Sequence, residues 1–142
     1  MDHLAIMLRN AGWIEKILSG EKKIESRWYK HKRLPFKKIK PGEIIYFKES
    51  CGPVIARAEV ERVLFYENLD VRVIRKIIDQ YGKQICIDQT FGDEIIRAQK
   101  RYASLLFLKN QSRVDSFTIN KKGYASGDAW LSIEDINKIR NS

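Results

Sequence analysis

In the stretch "GEKKIESRWYKHKR" one carboxylate, Glu25, stands between Lys22 and Arg27. A solvated basic surface has no need of it. The run "KKIESRWY" alternates with a period of two, which places Ile24, Ser26 and Trp28 on one face of a strand and Lys23, Glu25, Arg27 and Tyr29 on the other. A carboxylate beside two cations stays ionised and fixes their side chains in return. Such a group can bind: Lys22 and Arg27 meet phosphate or a base edge, Arg27 bidentately if its fork is free, while Glu25 accepts from an exocyclic amine of cytosine, adenine or guanine. It can also catalyse, with Glu25 as general base toward a water, Lys22 as charge stabiliser, and Tyr102 or Ser104 as partners on a later strand. A purely structural cluster is the third outcome, since breaking a buried pair costs roughly 3–5 kcal/mol whatever its function.

The charge around this motif is concentrated. Nine Lys/Arg and one acid lie between residues 22 and 40, so this segment carries +8 of the chain's +9. Interleaved with Trp28, Tyr29, His31 and Phe36, it has the footprint of a nucleic-acid contact surface, with Lys30, Lys32 and Arg33 tracking phosphates. Trp28 and Tyr29 point to opposite faces; Trp28 shares the Ile24 face and reads as core, which leaves Tyr29 as the stacking platform. Trp130 reads as core and His31 as a solvated loop residue. Two cysteines, Cys51 and Cys86, and two histidines, His3 and His31, form no ligand cluster, so neither a disulfide nor a metal site nor a cofactor is expected. No apolar run reaches the length of a membrane span and the first ten residues do not read as a signal peptide, so no membrane partner and a cytoplasmic protein, favoured as a monomer, are expected.

The elements that must position these residues follow from pattern. With 142 residues and 44% hydrophobic content the chain fits one domain, residues 1–142. "HLAIML" reads as a buried strand, and "NAGWIEKILSG" as a helix capped by Asn10 and stopped at Gly20. After the motif strand and the polar loop "KHKRLPFKKI", the turn "KPGE" has Pro and Gly where a type II turn wants them. It leads into "IIYFK", and the bend "ESCGP" into the alternating strand "VIARAEVERVLF". A helix starting at Asp70 is expected to stop at Gly82, and a second, about residues 91 to 100, to start after Thr90 with Asp93 completing a cap. "YASLLFLKN" reads as a central strand, "SFTI" and "AWLSI" as later strands, and "EDINKIR" as a short terminal helix. Helices inserted among short strands, without strict alternation, argue for an α+β domain on a curled, mostly antiparallel sheet.

The order helix, "LSGEKKIESR", "IKPGEIIYF" and the small-residue strand "VIARAEVERV" resembles the ASCH domain family of the PUA-like superfamily. Its signature G-x-K-x-x-E-x-R is met by Gly20, Lys22, Glu25 and Arg27, and its turn before a barrel strand by Pro41, Gly42 and Glu43. "RYASLLFL" and "AWLSI" resemble its closing strands, so the likeness runs from about residue 4 to 133. The resemblance implies a PUA-like curled β-barrel with inserted and flanking helices, and a cleft lined by the signature residues that suits RNA or a modified nucleotide. Some relatives bind RNA, some are reported as nucleases, and one small bacterial branch hydrolyses N4-acetylcytidine. In that branch the motif lysine works with a threonine three residues later; Glu25 occupies that position here, so the acyl-transfer chemistry does not carry over. The expectation is therefore a domain that binds RNA or a modified nucleotide through Lys22, Glu25 and Arg27. The alternatives are a hydrolase acting on RNA or a modified nucleoside through Lys22, Glu25 and Tyr102, and a basic docking module for an acidic protein partner.

Overall fold

The computed structural model describes residues 1–121, 123–124 and 129–141. Six strands form one sheet: β1 (Asp2–Met7), β2 (Ile24–Tyr29), β3 (Ile44–Glu49), β4 (Val54–Tyr66), whose first half alternates in burial, β5 (Tyr102–Phe117) and β6 (Trp130–Ile133). The strand order is β2-β5-β4-β3-β1-β6. Among the described residues β1 and β3 run parallel, and the other strand pairings are antiparallel. Register shifts break the β4–β5 ladder at three places, and bulges of this kind bend strands and add twist. The sheet therefore curls, a half-barrel with β2 and β6 as its edges.

Inside the curl, Phe47, Ala56, Ala58, Val60 and Leu106 pack with Ile14 and Ile17 of helix α1 (Trp13–Ser19). The outer face of β2 and β5 is covered by helices α2 (Val71–Ile85) and α3 (Gln89–Arg97), through Ile24, Trp28 and Leu105 against Ile74, Ile77 and Ile95. Leu4, Leu131 and Ile136 form a third cluster, near the terminal 3-10 turn (Ile136–Lys138). The result is the α+β class expected, with three local differences. Gly12 in left-handed conformation (φ 76°), not Asn10, precedes α1, while Gly20 (φ 83°) ends it as expected. Asp70 caps α2 by accepting from the Val73 N–H, but α2 continues past Gly82 to Ile85, and Cys86 takes the left-handed position. Asp88, not Thr90, caps α3, accepting from the Thr90 and Phe91 N–H groups, and this helix ends at Arg97.

"YASLLFLKN" and the Ser116–Phe117 part of "SFTI" belong to one sixteen-residue strand, β5, with Ile119 left in an isolated bridge to Arg140. At "KPGE", Gly42 has φ 90° and the Glu43 N–H donates to the Lys40 carbonyl at 3.2 Å, as the turn chemistry requires. The basic loop is pinned by buried Pro35, Phe36 and Ile39, and Phe36 packs edge-on against Phe65 and Tyr102.

Candidate functional site

Strand β2 lies at the sheet edge, and its alternation decides what enters the cleft. Glu25 and Arg27 face the inside of the curl, opposite Leu106 and Ser104 of β5, while Ile24 and Trp28 face α2 and α3. The Lys23 and Tyr29 carbonyls accept from Leu108 and Arg101 on the β5 side, so the backbone of Ser26 points the other way. Glu25 Oε1 accepts from that free Ser26 N–H at 3.1 Å. The carboxylate caps the strand's open edge.

Lys22 and Glu25 are 3% and 4% exposed. Lys22 Nζ donates to the Ile85 carbonyl at the end of α2 (2.7 Å), lies 3.4 Å from Glu25 Oε1 and stands over the Trp13 ring at 4.9 Å. A cation there also suits the negative end of the helix. Arg27 donates to Glu25 Oε2 at 3.1 Å through one nitrogen only. Its other contacts include the Ile6 and Ala129 carbonyls, the Met7 sulfur and the Tyr29 phenol, with Trp130 stacked beneath at 5.2 Å. Arg27 is thus a side-chain strut from β2 to β1 and the start of β6, at the gap where a closed barrel would have ladder bonds. Its fork is occupied, so the condition for bidentate phosphate capture is not met.

The cavity beside this triad has a volume of about 490 Å3, within the range of small-ligand sites. Trp13, Trp28, Tyr29, Phe91 and Ile95 give it mostly apolar and aromatic walls, with Glu25 and Arg27 on one side and Glu94 and Lys100 on α3 and just beyond it. Burial pushes the Tyr29 phenol above its usual range, although Arg27 pulls it down. Trp28 is core, as expected, yet also lines the cavity, and its indole N–H donates to Ser26 Oγ. Lys30, His31, Lys32 and Arg33 are exposed just after Tyr29. Trp130 is buried as expected.

Tyr102 lies across from Tyr29 in the β2–β5 ladder but packs on Phe36 and is not among the cavity's lining residues. Ser104, in register with Arg27, has a fully buried hydroxyl without a partner. Both cysteines are free, and among the described residues no group of three or more His, Cys, Asp or Glu is placed to hold a metal. Among the same residues no helix is long and apolar enough to cross a membrane. The residues not anticipated are the far walls, Phe91, Ile95 and Ala98 of the α3 region and Ile6 and Met7 of β1. Only the apolar period of α3 signalled any of them.

A second polar group lies at the other end of β1. His3 is fully buried; its Nε2–H donates to Glu43 at 2.8 Å, and its Nδ1 accepts from the Trp130 indole at 3.3 Å and lies 2.9 Å from Ser132 Oγ. Burial holds the imidazole below its ordinary pKa despite the Glu43 carboxylate. Burial would raise Glu43, but the His3 and Lys40 hydrogen bonds outweigh it and hold the carboxyl below its usual range.

The architecture matches the crystal structure of ASCH from Zymomonas mobilis, with a TM-score of 0.68 at 13% identity, over 94% of this chain and 87% of that one. The chain has the ASCH fold. Two single-substitution variants of the Zymomonas mobilis ASCH protein align equally well, each with a TM-score of 0.70 at 12% and 13% identity, over 96% of this chain and 93% and 91% of theirs. No protein-family model matches the sequence and no curated protein matches it. In this ASCH-fold chain the signature Lys22, Glu25 and Arg27 converge on one cavity, with Gly20 closing the helix that precedes them.

Proposed function

We propose that the protein binds single-stranded RNA, inserting a base into the cavity beside Glu25 while the loop at residues 30–40 engages phosphates. One observation carries this reading: an aromatic-walled cavity with a buried carboxylate has Tyr29 in its wall, and an exposed cationic loop begins at the next residue. Trp13, Tyr29 and Phe91 offer flat apolar surfaces to a base, and stacking of this kind contributes ~1–3 kcal/mol per base. Glu25 keeps acceptor capacity for an exocyclic amine. Lys30, Lys32 and Arg33 form no ion pair among the described residues, so their charge is available to phosphate. Lys22 and Arg27 position the carboxylate instead of gripping the ligand themselves. A hydrolytic role through Lys22, Glu25 and Tyr102 draws less support, because Tyr102 stands outside the cavity and Lys22 is held by Ile85.

The test is fluorescence anisotropy of a labelled single-stranded RNA at several salt concentrations, with wild type and a Lys30→Gln, Lys32→Gln, Arg33→Gln variant. If about four phosphates are neutralised, log affinity falls with log salt at a slope of roughly −3, and the triple variant flattens it by roughly 2. Absence of binding at low salt, alongside capture of polyglutamate, would sink the RNA reading and give the loop to an acidic protein partner.

A further inference from the structure

The cleft does not end at the triad. Its cavity of about 490 Å3 shares Trp13, Ile87 and Phe91 with a second cavity of about 360 Å3, whose remaining lining is Gly82, Lys83, Cys86 and Asp88. A single layer of apolar side chains therefore borders both chambers. The ground beside them is fixed by a seam between the start of β2 and the end of α2. The Lys23 N–H donates to the Gln84 carbonyl at 2.8 Å, Lys22 Nζ to the Ile85 carbonyl at 2.7 Å, and Cys86 Sγ to the Glu21 carbonyl at 3.6 Å. Three consecutive residues of the motif segment are thus tied to three consecutive residues that lead into the second chamber.

That chamber carries one cation and one carboxylate, Lys83 and Asp88. The Asp88 carboxylate is committed to the Thr90 and Phe91 N–H groups at the start of α3. Lys83 is exposed and has no ion pair among the described residues, so its ammonium is available to a ligand's phosphate. A free nucleoside in one such chamber would leave the other, with Lys83, unused. Two adjoining apolar-walled chambers with a cation at the far one match two successive bases and their phosphate.

Resting on the RNA-binding reading above, we propose that the cleft takes two consecutive nucleotides of single-stranded RNA, one base in each chamber, and so selects a chain over an isolated nucleoside. Calorimetric titration with the four nucleoside monophosphates and the four phosphorylated homodinucleotides tests it. The best dinucleotide is expected to bind about tenfold or more tighter than its mononucleotide, the factor contributed by one added stack. In a Cys51→Ser background, alkylation of Cys86 with N-ethylmaleimide fills the second chamber and breaks the Cys86–Glu21 contact of the seam; the dinucleotide is then expected to lose its advantage over the mononucleotide. Lys83→Gln, at an exposed position, probes the same chamber without added bulk and is expected to weaken the dinucleotide alone. Equal affinity for mononucleotide and dinucleotide in the wild type overturns this inference and leaves the RNA reading standing. So does a dinucleotide advantage indifferent to both Cys86 alkylation and Lys83→Gln. If neither ligand binds, the RNA reading fails and this inference falls with it.

Discussion

Glu25 is the residue on which the charge balance of the cleft turns. It is the carboxylate within ion-pair distance of both Lys22 and Arg27, and Lys22 and Arg27 have 3% and 13% of their side-chain surface exposed. Glu25→Gln keeps the shape and one acceptor oxygen but leaves two poorly hydrated cations without a counter-charge. Its expected effect is a loss of roughly 3–5 kcal/mol of stability, read as a lower midpoint in urea with an unchanged slope. A midpoint within error of wild type would show that water, not Glu25, compensates these cations. The period-two pattern of "KKIESRWY" was enough to place Glu25 and Arg27 on one face, and that is what the structure shows. Hidden from the sequence was where Lys22 and Arg27 point. Lys22 reaches a carbonyl 63 positions away and Arg27 one 102 positions away, partners set by tertiary packing and by no local period.

At the scale of elements, α2 and α3 build the wall that the motif lacks. Their junction depends on Gly82, a residue whose type suggests a helix stop but which lies inside α2 and is buried. A Cβ at Gly82 would meet the Ile87 carbonyl oxygen at 2.8 Å and Ile78 Cγ2 at 3.1 Å. Glycine is there for close approach, not for termination. Gly82→Ala gains about 1 kcal/mol of helix propensity and loses about 1–3 kcal/mol to overpacking, so a net fall in Tm of roughly 2–4 °C is expected. Because Ile87 borders both chambers, the same variant should also weaken ligand binding. A raised Tm would mean that the α2–α3 turn yields freely. The same distinction explains what was legible in the fold. Strands with one wet face, the "KPGE" turn and the Asp70 cap follow from local chemistry, and each stands where the pattern places it. The parallel β1–β3 pairing and the continuity of β5 through a polar second half depend on neighbours distant in sequence.

Across the whole molecule, the sheet is tied at β1 by a buried imidazole whose pKa burial holds below its ordinary value. His3 is fully buried between Glu43, Ser132 and Trp130, and these contacts join β1 to the "KPGE" turn and to β6. The neutral ring satisfies this site because Nε2–H meets a carboxylate while Nδ1 accepts from an indole that can only donate. Protonation would set two donors face to face at Trp130, in addition to burying a charge. Burial is the leading cause that lowers the His3 pKa below 6.5, with Glu43 opposing it. The unfolded chain therefore binds a proton as the pH falls through 6.5 while the folded chain resists it, so stability is full above that pH and declines below it until the folded ring titrates too. Glu43, whose folded pKa lies below 4.5, adds a second loss of the same sign at more acidic pH. Thermal melts in matched ionic strength should show Tm level above about pH 7 and falling as the pH drops below about 6.5. His3→Gln cannot take up that proton, so its Tm, although lower throughout, should stay flat across the same window. A wild-type curve parallel to that of His3→Gln would mean that the folded protein accepts the proton at His3 without penalty, with the resulting imidazolium paired to Glu43.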